Sequence, residues 1–149
     1  IAAGGIADAR GIVAAFALGA SAVQIGTAYL FTDEATISPV YRRALEDAAG
    51  AEGSETAICN VFSGKPARAL VNRLAREQGP MTANAPAFPK GFAAAGPLRS
   101  AAEERGSRDF SAHYSGQSAA LARQTTAFAL TRDLAADALR QFSPQDRGQ

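Results

Sequence analysis

Two glycine-bearing turns near the start of the chain are the residues best suited to chemistry: Gly4-Gly5 and, about twenty residues on, Gly26-Thr27. Glycine lets a backbone approach an anion with no Cβ in the way, and Thr27 adds a hydroxyl donor. If each turn follows a strand and opens a helix, unpaired N–H groups and the positive end of the helix dipole converge on one point. The chemistry this predicts is phosphate binding. The same glycines also serve as tight turns and nothing more, and the pattern is silent on which phosphate.

The elements that must position these turns are legible around them. Ile1-Ala2-Ala3 reads as a buried strand. Asp8 is an N-cap for an alanine-rich helix from Ala9 to Leu18, with Ile12, Val13, Phe16 and Ala17 on one face and Gly19 as its stop. Ala22-Val23-Gln24-Ile25 is a second short strand. Strand, helix and strand within about 30 residues make a right-handed βαβ unit with parallel strands, so both turns emerge at the same sheet edge. That is the arrangement of the last two strand–loop units of a (β/α)8 barrel, where a phosphate commonly sits.

Further on, Ser38-Pro39 opens a helix to Ala49, and Gly50 to Glu55 is a polar turn. Thr56 to Phe62 has β character, and Ser63-Gly64-Lys65-Pro66 turns into a helix expected over Ala67 to Gln78. Gly79 to Gly96, with three prolines, reads as a long loop. Pro97 to Arg105 and Gln124 to Phe142 read as helices, Asp109 to Arg123 as a weakly patterned helical region, and Ser143 to Gln149 as a frayed tail. The expected division is therefore 1–50, a βαβα portion of a barrel; 51–142, a mostly helical segment; and 143–149, the tail.

Composition excludes several classes. The chain has 149 residues, of which 47% are hydrophobic and 19% charged, a globular balance. Fifteen Lys and Arg against fourteen Asp and Glu leave a net charge of +1, which makes no electrostatic case for nucleic acid or an anionic membrane. Cys59 is the only cysteine and His113 the only histidine, so an intrachain disulfide, a cysteine metal site and a multi-histidine centre are all excluded. No apolar run approaches the roughly 18 residues of a membrane span, and a cytoplasmic location is expected. The chain opens at Ile1, inside what reads as a core strand, so it is expected to be the C-terminal piece of a longer protein.

Ile1-Ala2-Ala3-Gly4-Gly5-Ile6-Ala7-Asp8, Arg10-Gly11, and Val23-Gln24-Ile25-Gly26-Thr27-Ala28-Tyr29-Leu30 with Thr32 and Glu34 together resemble the nitronate monooxygenase family. The likeness continues through Phe62-Ser63-Gly64-Lys65-Pro66-Ala67-Arg68 and Gly96-Pro97-Leu98-Arg99 to Gly116-Gln117-Ser118-Ala119. It implies an α/β fold: strands seven and eight of an FMN-dependent TIM barrel, plus a smaller, mostly helical domain. A complete barrel takes about 250 residues, so the six earlier strands would lie upstream. The partners of both strands would then be missing, and the chain expressed alone is expected to be poorly soluble and to bind FMN weakly.

Carried over residue by residue, the resemblance puts the FMN-phosphate contacts on Gly5 and on Gln24, Ile25, Gly26 and Thr27, with Gly4 shaping the turn. Ala9 stands where family members more often have glycine, a departure that touches helix packing. The implied reaction oxidises an alkyl nitronate with O2 to a carbonyl compound and nitrite, and a histidine upstream of this chain would act as base for nitroalkanes. A related NADH:quinone reductase or enoyl reductase, a non-catalytic phosphate-binding module and a helical interaction domain are the alternatives.

Other reactive side chains have plainer readings. His113, in Ser111-Ala112-His113-Tyr114, is expected at the surface or in helix packing rather than at a flavin. Cys59 lies in an apolar run, as a buried inert thiol does. Lys65 and Arg68 are expected as solvated charges, Thr32 and Glu34 as parts of a local side-chain-to-backbone turn, and Glu103-Glu104-Arg105 as a solvated helix face.

Overall fold

The computed structural model describes residues 1–50 and 55–143. Most of the polar turn and all but the first residue of the expected tail lie outside them. The chain divides into two compact units, Ile1–Thr36 with Gln117–Gln149, and Ile37–Gly116. The expected grouping of 51–142 as one segment is thus replaced by a unit 2 inserted within a discontinuous unit 1.

Unit 1 begins with the βαβ motif. β1 (Ala2–Ala3) and β2 (Val23–Gln24) are parallel, with Ala2 opposite Val23 and Ala3 opposite Gln24. Between them runs α1 (Ala9–Ala17), whose N-cap Asp8 accepts the Gly11 N–H at 3.0 Å, and Gly19 beyond its end has φ +96°. α2 (Thr27–Leu30) follows β2 directly, and α6 (Ala127–Phe142) closes the unit behind an N-cap at Thr126. Ala9, Ile12 and Ala138 are buried together with Ile6, Val23 and Leu134 around them, and Phe16 meets Phe142 edge to face at 5.4 Å. The apolar side of α1 selects α6, about 110 residues later, and this pairing is why the C-terminal helix belongs to unit 1.

Thr32 and Glu34 serve this closure. The Thr32 hydroxyl donates to the Tyr29 carbonyl at 2.8 Å, a local turn as expected. Glu34 differs from expectation: its carboxylate accepts the Ala127 N–H at 2.8 Å and so helps to cap α6 across the fold.

Unit 2 contains α3 (Pro39–Ala49), an antiparallel hairpin of β3 (Thr56–Cys59) and β4 (Ala67–Leu70), α4 (Arg73–Gln78) and α5 (Lys90–Glu104). The helix expected over Ala67 to Gln78 is corrected to a strand followed by a shorter helix. Gly64, at φ +90°, reverses the chain, and pairing with β3 buries Leu70 on one face and Ala69 on the other, beside Cys59, Val61 and Phe62. That burial outweighs the helix propensity of Ala-Arg-Ala-Leu. Asn72 then ends the strand: its carbonyl caps α4 through the Ala75 N–H, and its amide donates to the Arg108 and Ser111 carbonyls.

The long loop is also shorter than expected. α5 starts at Lys90 and carries Pro97 at its middle, although proline favours a helix start. Asp109 to Arg123 is extended rather than helical, apart from a 3-10 turn at Ala119–Leu121. Within it, Tyr114 bridges to Ala69 at the edge of β4. Pro80 to Pro89 remains as loop, held by Asn60, which exchanges two hydrogen bonds with the Thr82 backbone at 3.0 and 2.9 Å.

Candidate functional site

The register of β1 and β2 decides the geometry. Because Ala3 lies opposite Gln24, Gly4 and Ile25 leave the sheet side by side, and the two glycine turns share one edge. Gly4 and Gly5 both have positive φ, +87° and +73°, where a side chain is strained. A Cβ built on Gly4, Gly5 or Gly26 would meet no atom within 4 Å, so open space lies against all three. Gln24 is exposed at the end of β2, Gly26 is the N-cap of α2, and Thr27 is its first residue. Ile25 is partly buried, packed with Ala7, Ala28 and Leu130 below the turn. It anchors the loop from beneath.

One expectation needs amendment. The start of α1 is not a bare donor set, because the Asp8 carboxylate already takes the Gly11 N–H and is itself paired with Arg10 at 2.6 Å. The Gly11 N–H, followed by Arg10, holds the Asp8 carboxyl below the ordinary carboxylate range. At this edge the first turn of α1 thus has its Gly11 N–H already taken by the protein's own carboxylate. α2 has no side chain capping its first turn.

A cavity of about 150 Å³ lies deeper in unit 1, bounded by Ala7, Ala28 and Leu130 and rimmed by Asp8, Asp133 and Asp137. Arg123 lines it as well, and each carboxylate is paired with an arginine, Asp8 with Arg10, Asp133 with Arg123 and Arg132, and Asp137 with Arg140. A recess of about 260 Å³ in unit 2, lined by Val61, Leu74, Pro86 and Leu98, is largely apolar. No group of three or more His, Cys, Asp or Glu among the described residues could hold a metal. No helix among them is long and apolar enough to cross a membrane.

The remaining reactive side chains have structural duties. Cys59 is 1% exposed, and burial pushes its thiol up, away from the reactive thiolate. Lys65 lies over the Phe88 ring at 4.5 Å. Arg68, expected in solvent, instead donates to the Thr56 hydroxyl at 3.0 Å across the hairpin. Glu103 departs from a solvated face by accepting the Ser111 hydroxyl. His113 is only 4% exposed and stacks on Tyr41, which removes it from the surface. Burial of Tyr41 pushes its phenol up to about 12, so it stays protonated and donates to the Tyr114 carbonyl. No signal in the sequence marked Tyr41, because a tyrosine one turn into an amphipathic helix is an ordinary core residue.

A parallel βαβ unit with two open glycine turns on one edge defines an α/β protein. The family model for nitronate monooxygenase matches residues 1–137. The chain belongs to the nitronate monooxygenase family. It is 44% identical over 135 residues to the nitronate monooxygenase of Pseudomonas aeruginosa, covering 90% of this chain and 38% of that protein. It is 39% identical over 150 residues to the nitronate monooxygenase of Paraburkholderia phytofirmans, covering 96% and 40%. Among solved structures, nitroalkane oxidase from Streptomyces ansochromogenes superposes with a TM-score of 0.81 at 40% identity, over 93% of this chain and 38% of the other. FabK from Thermotoga maritima follows at 0.69 and 30%, over 93% and 43%. The chain thus spans about two fifths of the curated relatives it matches.

Proposed function

We propose that this chain carries part of the FMN-phosphate site of an oxidoreductase that oxidises alkyl nitronates with O2 to carbonyl compounds and nitrite. The observation that carries the reading is the open edge shared by Gly4-Gly5 and Gly26-Thr27, with positive φ at Gly4 and Gly5 and room where their side chains would be. Residues of this kind fit a phosphate, because backbone N–H groups can approach it without steric obstruction. In this reading Gly5, Gln24, Ile25, Gly26 and Thr27 hold the phosphate and Gly4 sets the turn. Bound FMN would supply the electron acceptor for nitronate oxidation.

β1 and β2 act here as the seventh and eighth strands of a TIM barrel, and unit 2 as the smaller domain. Ala3 and Gln24 are exposed, and in this reading further strands and their helix layers would cover them. This chain's own residues bind and orient the cofactor tail. In this reading His113, buried and stacked, is not the proton-abstracting histidine.

The similarity to FabK favours a second reading, a flavin-dependent enoyl reductase on the same frame. Visible flavin absorbance of the purified protein, followed by O2 consumption with a nitronate and NADH consumption with an enoyl thioester or quinone, separates the two. A protein that binds phosphate and is colourless would overturn both.

A further inference from the structure

His113 lies in the interior of unit 2 with its Nε2 buried and without a hydrogen-bond partner. Its ring stacks on Tyr41 of α3, centroids 4.6 Å apart and planes 14° from parallel. The backbone around it is engaged: the His113 carbonyl accepts the Leu70 N–H of β4 at 2.9 Å, and the Ser115 N–H donates to the Arg68 carbonyl at 3.3 Å. The Tyr41 phenol donates to the Tyr114 carbonyl one residue along. One stacked pair therefore ties α3 to the extended segment that runs along β4.

The charges that face the ring are few. Glu103, at the end of α5, favours a protonated imidazole, but its carboxylate is engaged by the Ser111 hydroxyl. Arg108 opposes protonation and is paired with Asp47 of α3 at 3.2 Å. α3 otherwise presents the neutral Tyr41, and β4 meets the residue through the Leu70 amide. The neutral imidazole already leaves Nε2 unpaired, and an imidazolium would add to that the cost of a buried charge with no acceptor for its Nε2–H.

We propose that His113 and Tyr41 form an acid-released latch: the neutral ring fastens α3 to the strand edge, and protonation of His113 undoes the stack and loosens unit 2. Burial holds the His113 imidazole down to about 4, against an ordinary value of 6.5. Between these values the unfolded chain binds the proton more readily than the folded one. The latch's stability is therefore complete above about pH 6.5 and falls as the pH drops toward 4.

Because His113 is the only histidine of these 149 residues, its imidazole C–H signals in NMR report it alone in this chain. The expected result is a titration midpoint near pH 4 to 5, coincident with loss of the Tyr41 ring-current shift on those signals and of the tyrosine near-UV dichroism. A midpoint between about 6 and 7, or protonation with the tyrosine signals unchanged, would overturn the proposal. His113→Gln supplies a second reading. Between pH 6.5 and 4 the unfolding equilibrium of the parent should rise about two orders of magnitude more than that of the variant, since the carboxylates titrating in this window are common to both. Equal pH slopes would also overturn it, and the histidine titration decides the matter should the variant not fold.

Discussion

Gly5 of unit 1 and Gly64 of unit 2 share a residue type and a positive φ, yet their surroundings are opposite. Gly5, at φ +73°, has nothing within 4 Å of where a Cβ would stand. Gly64, at φ +90°, would bring a Cβ to 2.6 Å from the Phe88 nitrogen and 2.9 Å from the Ala87 carbonyl carbon, with the Pro86 oxygen closer still. The positive φ alone does not distinguish a ligand turn from a packing turn. The space beside it separates Gly5 from Gly64, although Gly19, Gly79 and Gly106 are open as well, so what sets Gly4-Gly5 apart is the second glycine turn beside it on the same sheet edge.

That contrast yields measurable differences. Gly64→Ala should cost about 3 kcal/mol or more, because both the backbone conformation and the collision with residues 86–88 must be relieved, and a urea midpoint reads it directly. Asn72→Ala should follow at about 2–3 kcal/mol, since it removes the α4 cap and leaves the Arg108 and Ser111 carbonyls without their donor. Gly5→Ala should cost only about 1–2 kcal/mol of stability but reduce FMN affinity by about tenfold or more, as measured by flavin fluorescence. A Gly5 variant that unfolds like the Gly64 variant while retaining flavin would erase the distinction.

Asp8→Ala should cost about 1 kcal/mol through loss of the α1 cap. The Asp8 carboxyl is held below its ordinary value, so the parent's advantage over this variant is complete above about pH 4 and is lost as the pH falls through the folded pKa. Thermal melts of the pair at neutral and acid pH check the sign. The smallest effect belongs to Glu77→Ala: the Arg73–Glu77 pair is exposed on both sides, and the midpoint should not move measurably.

How much of this could be read beforehand differs between the units. Asp8, Gly19 and Ser38-Pro39 mark helix ends through chemistry confined to one turn, and the helices begin or stop beside them. The βαβ motif and the adjacency of its two turns were legible for the same reason. Ala67 to Leu70 was not: four residues of helical preference are too few to resist a partner strand that buries two of them. Pro97 misled in another way, because its rule for helix starts is statistical while the helix it occupies begins seven residues earlier. Glu34 looked like part of a local turn and Arg68 like a solvated charge because their partners, Ala127 and Thr56, lie beyond local reach.

The sequence by itself determined where most helices begin, that two glycine turns follow a pair of parallel strands, and which family the chain resembles, because capping, turn geometry and motif spacing act over a few residues. Only the tertiary structure decided that the last helix closes the first unit, that 67–70 is a strand, and that the sole histidine is sealed against Tyr41. Those outcomes depend on burial and pairing between segments tens of residues apart, and the free energy of such pairing is written in no single window of the chain.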